Sequence, residues 1–451
     1  MKLSRVISIG SISILFGVAV AAAAALNAPQ AALQRAKSNL RFVTAHRAAH
    51  HGAVSHGAKA AGKASSAASS ARHSRTRAAA GTHASAGRSA RGARGARTRR
   101  VSVSLRHRYF ERFTASSFVA NGSVGTGDLT AGEDPIVRQA AIDALGDMNG
   151  TAVVIDPANG RILAMVNQKL ALSPGAEPCS TIKLTVALAA LSEGLVTNET
   201  PVQLPGFRMN MTQAIAKSNN LYFEALGREL GFERVRHYAN QFGLGELAGY
   251  NIAGEHLGVY PDEPIPNSQG GVARMCSFGQ GVSLTPLQLG AFVAAIANGG
   301  TLYYLQHPTT PQEAALLQPK VKRTLDIAKY VPQLEDGMAG AVEYGTARRL
   351  RANFRALPVF GKTGTCSDNG TRFGWFASYS TSPQGSLVTV FFLEGGRPTF
   401  GPRAAELTGE FYKNLWERNY FATRGQRADN APAVSVFPPQ AKTGATQAEE
   451  Q

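Results

Sequence analysis

Apolar and polar positions divide the chain into unlike stretches. From Val6 to Leu26 it reads VISIGSISILFGVAVAAAAAL, with no charged residue and enough length to cross a bilayer. From Pro29 to Arg108 large apolar residues are too sparse to build a core, and the segment is expected to be disordered. Patterned sequence begins near Thr130. TAVVIDPANGRILAMVNQ (Thr151 to Gln168) sets two apolar runs on either side of Asp-Pro-Ala-Asn-Gly, which predicts a β-hairpin. STIKLTVALAALSEGL (Ser180 to Leu195) is apolar nearly all round and closes near Gly194, which predicts a buried helix. MTQAIAKSNNLYFEALGRELG and ERVRHYANQFG predict helix pieces closed by glycine, and TPLQLGAFVAAIANGG predicts another that starts at Thr-Pro. FGWFASYS followed by SLVTVFFLEG predicts two adjacent strands. A strand pair, many helices and then strands again predict an α+β fold, with helices packed on an antiparallel sheet.

Charge sharpens the division. Lys2 and Arg5 precede the apolar run, as in a cleaved signal peptide or an uncleaved signal-anchor. Seventeen of the 47 Lys and Arg fall in 29–108 with no Asp or Glu, which leaves the rest of the chain balanced at 30 against 30. The basic character therefore belongs to a spacer. Such a spacer can touch anionic lipid or acidic wall polymers through charge alone, whereas export puts nucleic acid in the wrong compartment. The expected organisation is a signal or anchor over 1–28, a basic spacer over 29–108, a linker over 109–129, one folded domain over 130–423 and a loose tail over 424–451. None of the three cysteines has zinc-site spacing, and neither metal nor cofactor is expected.

Three short motifs carry chemistry. In Ser180-Thr181-Ile182-Lys183, residues three apart on a helix share a face, so the Lys183 amine can reach the Ser180 oxygen. A buried lysine is desolvated towards its neutral form, a base for an otherwise weak nucleophile. Lys362-Thr363-Gly364-Thr365 follows LPVFG and precedes a turn, which predicts a strand running into a hairpin. There Gly364 permits close approach of another chain, and Lys362, Thr363 and Thr365 offer a positive charge and hydroxyls. Ser367-Asp368-Asn369 comes immediately after and is expected to sit in the turn, pointing away. Ser218-Asn219-Asn220, lying between the other two motifs in chain order, is the better partner. Lys442-Thr443-Gly444 repeats the lysine triplet in the tail without a strand around it.

With these motifs the sequence resembles the penicillin-binding transpeptidases, chiefly the monofunctional class B kind, over about Thr151 to Thr423. SFGQGVSLTPLQLGAFVAAIANGG (Ser277 to Gly300), GTARRL and GWFASYS are similar to family stretches too. The resemblance implies a penicillin-binding or serine β-lactamase-like architecture and a substrate, the D-Ala-D-Ala end of peptidoglycan stem peptides, with β-lactams as covalent ligands. Ser180 would attack the carbonyl and form an acyl-enzyme, with Lys183 as its base. Ser218 would relay a proton to the leaving nitrogen and Asn220 would hold the substrate amide. Lys362 and Thr363 would orient the site and the substrate carboxylate, and the N–H groups of Ser180 and Thr365 would form the oxyanion hole. The resemblance leaves out the class B pedestal, with the basic stretch in its place, and shows no glycosyltransferase module.

The family usually carries Gly before the nucleophile, where this chain has Cys179. Two oxyanion donors must converge on one oxygen, so Cys179 and Cys366, each next to one of them, are expected near disulfide range. Such a bond, or a reactive thiol, would gate the site. Alternatives are a class D-like β-lactamase, which shares all three motifs, and a β-lactam-sensing domain that acylates without turnover. A Ser-His-Asp hydrolase finds no support, because no serine sits in Gly-x-Ser-x-Gly.

Overall fold

A computed structural model describes residues 112–119 and 124–429, with side chains as far as residue 424. The apolar run over 1–28, the spacer over 29–108 and most of the C-terminal tail lie outside the described residues.

The hairpin forms as read. Strand β1 (Gly150–Asp156) pairs antiparallel with β2 (Arg161–Val166) around the Asp-Pro-Ala-Asn-Gly turn. Three C-terminal strands complete the sheet: β3 (Val359–Asp368), β4 (Thr371–Ser382) and β5 (Gly385–Gly395). The spatial order is β2-β1-β5-β4-β3, antiparallel throughout, so the first hairpin docks on the last strand and β3 forms one edge.

Both faces of this sheet are covered, which explains why its strands read as apolar runs and not as alternation. Val153 and Ile155 of β1 join one core with Val388, Val390 and Phe392 of β5 and Trp375 of β4. Ala152 and Val154 join a second core with Phe391, Leu393 and Phe376. The second core is roofed by α1 (Pro135–Leu145) and α8 (Gly401–Glu417). The first receives α2 (Lys183–Ser192) and the almost wholly apolar α6 (Pro286–Ala297). Local chemistry sets several helix starts. The Asp134 carboxylate accepts from the N–H groups of Ile136 and Val137 with Pro135 opening α1, and Thr285 forms a capping box with Gln288 ahead of α6.

The helical region differs in detail from expectation. Ser180 to Leu195 is not one helix: a 3-10 turn, Cys179–Ile182, leads into α2. The stretch around Ser218 breaks into α3 (Met211–Ala216) and α4 (Asn220–Gln241), because Asn219 turns to cap α4 and Ser218 takes a left-handed conformation, φ 55°. Within α4 the backbone at Gly231, φ 74° and ψ 163°, is not helical, so two helical pieces meet there and the glycine closes the first of them as the sequence predicts. Further along come α5 (Gly271–Phe278) and α7 (Val331–Glu343).

Two domain limits also move. Part of the expected linker packs on the domain: the Thr114 N–H donates to the Gly370 carbonyl, and Ser117 Oγ lies 2.9 Å from Thr399 Oγ1. The Asp128 carboxylate accepts from the N–H groups of Asn167 and Gln168 and pairs with Arg138. At the other end, Arg424 is not the start of a loose tail. It lies in α9 (Tyr420–Asp429), where its guanidinium pairs with Asp156 at 2.9 Å and donates to the Ser386 carbonyl at 2.7 Å. A carboxylate at the end of β1 and a carbonyl near the start of β5 supply those partners, and no local pattern reveals them.

Candidate active site

The 3-10 turn carries Ser180, and Lys183 opens α2 directly behind it. Lys183 is fully buried. Its Nζ lies 2.8 Å from Ser180 Oγ, 2.6 Å from Asn220 Oδ1, 2.9 Å from the Ser218 carbonyl and 3.1 Å from Ser218 Oγ. Burial, and then the positive charge of Lys362, push the Lys183 amine down to about 6, against a smaller opposing pull from Glu224. The Asn220 oxygen and the Ser218 carbonyl can only accept. A neutral amine has two N–H groups and one lone pair, so donating to both leaves the lone pair for a hydroxyl. Ser180 Oγ is the nearer of the two hydroxyls. The arrangement can draw the Ser180 proton onto Lys183.

Ser218 sits between two amines, because Lys362 Nζ donates to its Oγ at 2.8 Å and to the Thr363 carbonyl at 2.9 Å. Lys362 is likewise fully buried, and burial pushes it down to about 7. The Ser218 hydroxyl accepts from Lys362, and once Lys183 has taken the Ser180 proton it can donate to the same oxygen, which makes Ser218 a proton bridge. The middle residue of its triplet is structural, since the Asn219 side chain accepts from the Tyr222 N–H at 3.0 Å.

Pleating sorts the third motif into two faces. Lys362, Gly364 and Cys366 face the nucleophile turn. A Cβ on Gly364 would lie 2.8 Å from the Pro178 carbonyl oxygen, so the close approach expected at this glycine is to the nucleophile segment itself. The hydroxyls of Thr363 and Thr365 are engaged on other elements: Thr363 Oγ1 lies 2.6 Å from Thr346 Oγ1, and Thr365 Oγ1 accepts from the Gly401 N–H at 2.8 Å. Thr365 still borders the open cavity beside the site.

Ser367 and Asp368 are not in the turn but are the last residues of β3, opposite Arg372 and Thr371. They border that cavity, of about 780 Å³, together with Glu177, Arg274 and Gln280. Neither has a hydrogen bond to either lysine among the described residues, in contrast to Ser218. Burial, then the neighbouring Asp368, push the Glu177 carboxyl up to about 7, with Arg274 opposing. Glu177 stands out in the sequence as the acid nearest Ser180 in the chain, whereas Thr346 and Gly401 were not singled out there. Nor was Trp375, whose Nε1 donates to the Glu177 carbonyl at 3.0 Å and so steadies the segment before the nucleophile. GTARRL and FGWFASYS were the only signals for two of these residues, and neither stretch says what its side chains touch.

Cys179 and Cys366 are joined by a disulfide, their Cα atoms 5.5 Å apart. Cys179 is held at φ 52°, a left-handed conformation that costs a non-glycine residue about 1 kcal/mol. Cys276 is free and buried in the core.

Comparison with known proteins matches this arrangement to a class. The profile of the penicillin binding protein transpeptidase domain matches residues 150–415, and the chain belongs to that family. Stage V sporulation protein D of Bacillus subtilis is 30% identical over 317 residues, 58% of this chain and 48% of that protein. The peptidoglycan D,D-transpeptidase MrdA of Acinetobacter baumannii is 24% identical over 359 residues, 62% of this chain and 52% of the relative. The chain thus spans about half the length of these curated relatives. Among solved structures, Pseudomonas aeruginosa PBP2 in complex with WCK 5153 superposes with a TM-score of 0.53 at 23% identity, covering 63% of this chain and 74% of that one. That likeness concerns the fold, which is the α+β transpeptidase architecture read from the sequence.

Proposed function

We propose that this chain is a serine D,D-transpeptidase that cross-links peptidoglycan stem peptides and binds β-lactams covalently. The observation that carries this reading is the buried Lys183 amine, 2.8 Å from Ser180 Oγ and already supplied with two acceptors on its other side. Ser180 Oγ attacks the D-Ala-D-Ala carbonyl and loses its proton to Lys183. Ser218 passes a proton on to the leaving D-Ala nitrogen. Asn220, whose oxygen is held by Lys183, offers its Nδ2 to the substrate, and Lys362 with Thr363 and Thr365 receives the substrate carboxylate. The N–H groups of Ser180 and Thr365 stabilise the oxyanion. An amine from a second stem peptide then takes the acyl group and frees Ser180. The domain works outside the inner membrane, with the N-terminal apolar run as anchor or export signal and the basic stretch resting on anionic lipid or wall polymer.

Labelled penicillin tests this. The expected result is an adduct on Ser180 that survives a denaturing gel and is released far more slowly than it forms. Ser180→Ala and Lys183→Ala abolish labelling, while Ser367→Ala leaves it nearly intact. Rapid turnover of penicillin, enhanced by bicarbonate, would instead make the chain a class D-like β-lactamase.

A further inference from the structure

We propose that the Cys179–Cys366 disulfide is a positioning device for the oxyanion hole, and that its reduction slows acylation without unfolding the domain. The inference rests on the transpeptidase reading above and adds a redox requirement to it. The bond joins residues 187 apart in sequence and ties the residue before Ser180 to the residue after Thr365. The other ties across this seam are non-covalent, with the Lys183–Ser218–Lys362 hydrogen bonds lying behind it. Gly364 contacts the Pro178 carbonyl only by van der Waals approach, and Trp375 holds the Glu177 carbonyl one step further out. The sulfur bridge is the covalent tie between the segments that carry the Ser180 and Thr365 N–H groups, and it fixes their spacing most directly.

The alternative, a bond that merely stabilises the fold, fits less well. Both cysteines border the reacting atoms, and Cys179 is kept in a left-handed conformation where glycine would be unstrained. Two unbonded thiols cannot approach to bonding distance, and Cys179 is fully buried. Reduction must then part the turn from β3. Access is one-sided: Cys366 borders the open cavity while Cys179 does not. A dithiol entering there attacks Cys366 Sγ and releases Cys179 as the leaving thiolate, which takes up a proton. The second thiol of the reagent then displaces Cys366, so two electrons and two protons pass to the protein and the reagent leaves as a disulfide.

The experiment uses the full chain and a labelled penicillin, and separates the acylation rate from the preceding binding step. Oxidised protein should show no accessible thiol. After dithiol treatment two thiols appear, Cys276 staying buried, and acylation falls about 10- to 100-fold with little change in initial binding. Reoxidation restores the rate. Cys179→Gly, which relieves the strained φ, and Cys366→Ser should both be slow and indifferent to reductant. Equal rates in the reduced and oxidised wild type, or wild-type rates in both variants, would overturn the clamp while leaving the transpeptidase reading intact. Absence of labelling in either redox state would count against that reading instead. Should a variant fail to fold, reversible reduction of the wild type decides alone, with circular dichroism reporting whether the domain stays folded.

Discussion

Lys183 and Lys362 are the residues whose chemistry depends most on where the chain puts them. The low value of Lys183 makes its free base available as pH rises through about 6, whereas Lys362 loses its charge through about 7. Acylation should follow a narrow bell with limbs near those values, belonging to the coupled pair and not to either lysine alone. Lys362→Met removes the like charge that helps depress Lys183, so the acid limb of residual labelling should move to higher pH. Stability carries a related signature. Above about 7 both amines are neutral in the fold, while the unfolded chain keeps its protons up to the ordinary lysine value of 10.5. The unfolded state then binds more protons, so stability rises with pH across that window. The melting temperature of Lys183→Met should climb less steeply than that of the wild type between about pH 7 and 9. Ser218→Ala should lower acylation by about 10²- to 10³-fold with the fold retained, the usual scale for a lost proton-transfer group.

Elements bring these residues within reach, and β3 is the decisive one. Its pleat sends Lys362, Gly364 and Cys366 to the nucleophile turn, so Gly364→Ala drives a Cβ to 2.8 Å from the Pro178 carbonyl oxygen. Turn and strand must separate, and acylation should fall at least about tenfold, since misplacement of about 1 Å can cost 10²-fold. Equal rates for Gly364→Ala and wild type would show that this approach does not matter. The motif on β3 was legible because four residues in order carry it. The α3–α4 break was not, because Asn219 acts as a cap only once Tyr222 has turned into a helix behind it. The helical end of the domain was hidden for a similar reason. A chain cut after Thr423 lacks Arg424 and its contacts to Asp156 and Ser386. It should unfold about 1–3 kcal/mol more easily than one cut after Asp429, as expected for charged hydrogen bonds with little solvent access.

At the scale of the whole molecule, the sheet and its two helical layers are built from described residues that all lie after the basic stretch over 29–108. A chain lacking that segment should acylate as the wild type does, and its binding to anionic vesicles should weaken and lose salt dependence. Failure of a folded truncated domain to acylate would refute the spacer role.

Local pattern was enough to determine the hairpin, the buried helices, the class of fold and the three motifs, because period, turn residues and composition act between near neighbours. What only the tertiary structure decided are meetings across long separations. Ser218 lies between lysines 35 and 144 residues away, Thr363 meets Thr346 from another element, and Arg424 reaches the end of β1. The depressed lysine values belong to the same group, since desolvation exists only once the core has closed around both amines. The expected preference for Ser218 over Ser367 has its physical reason there too: the left-handed turn at Ser218 brings its hydroxyl to both lysines, while the pleat of β3 turns Ser367 from the face that carries Lys362.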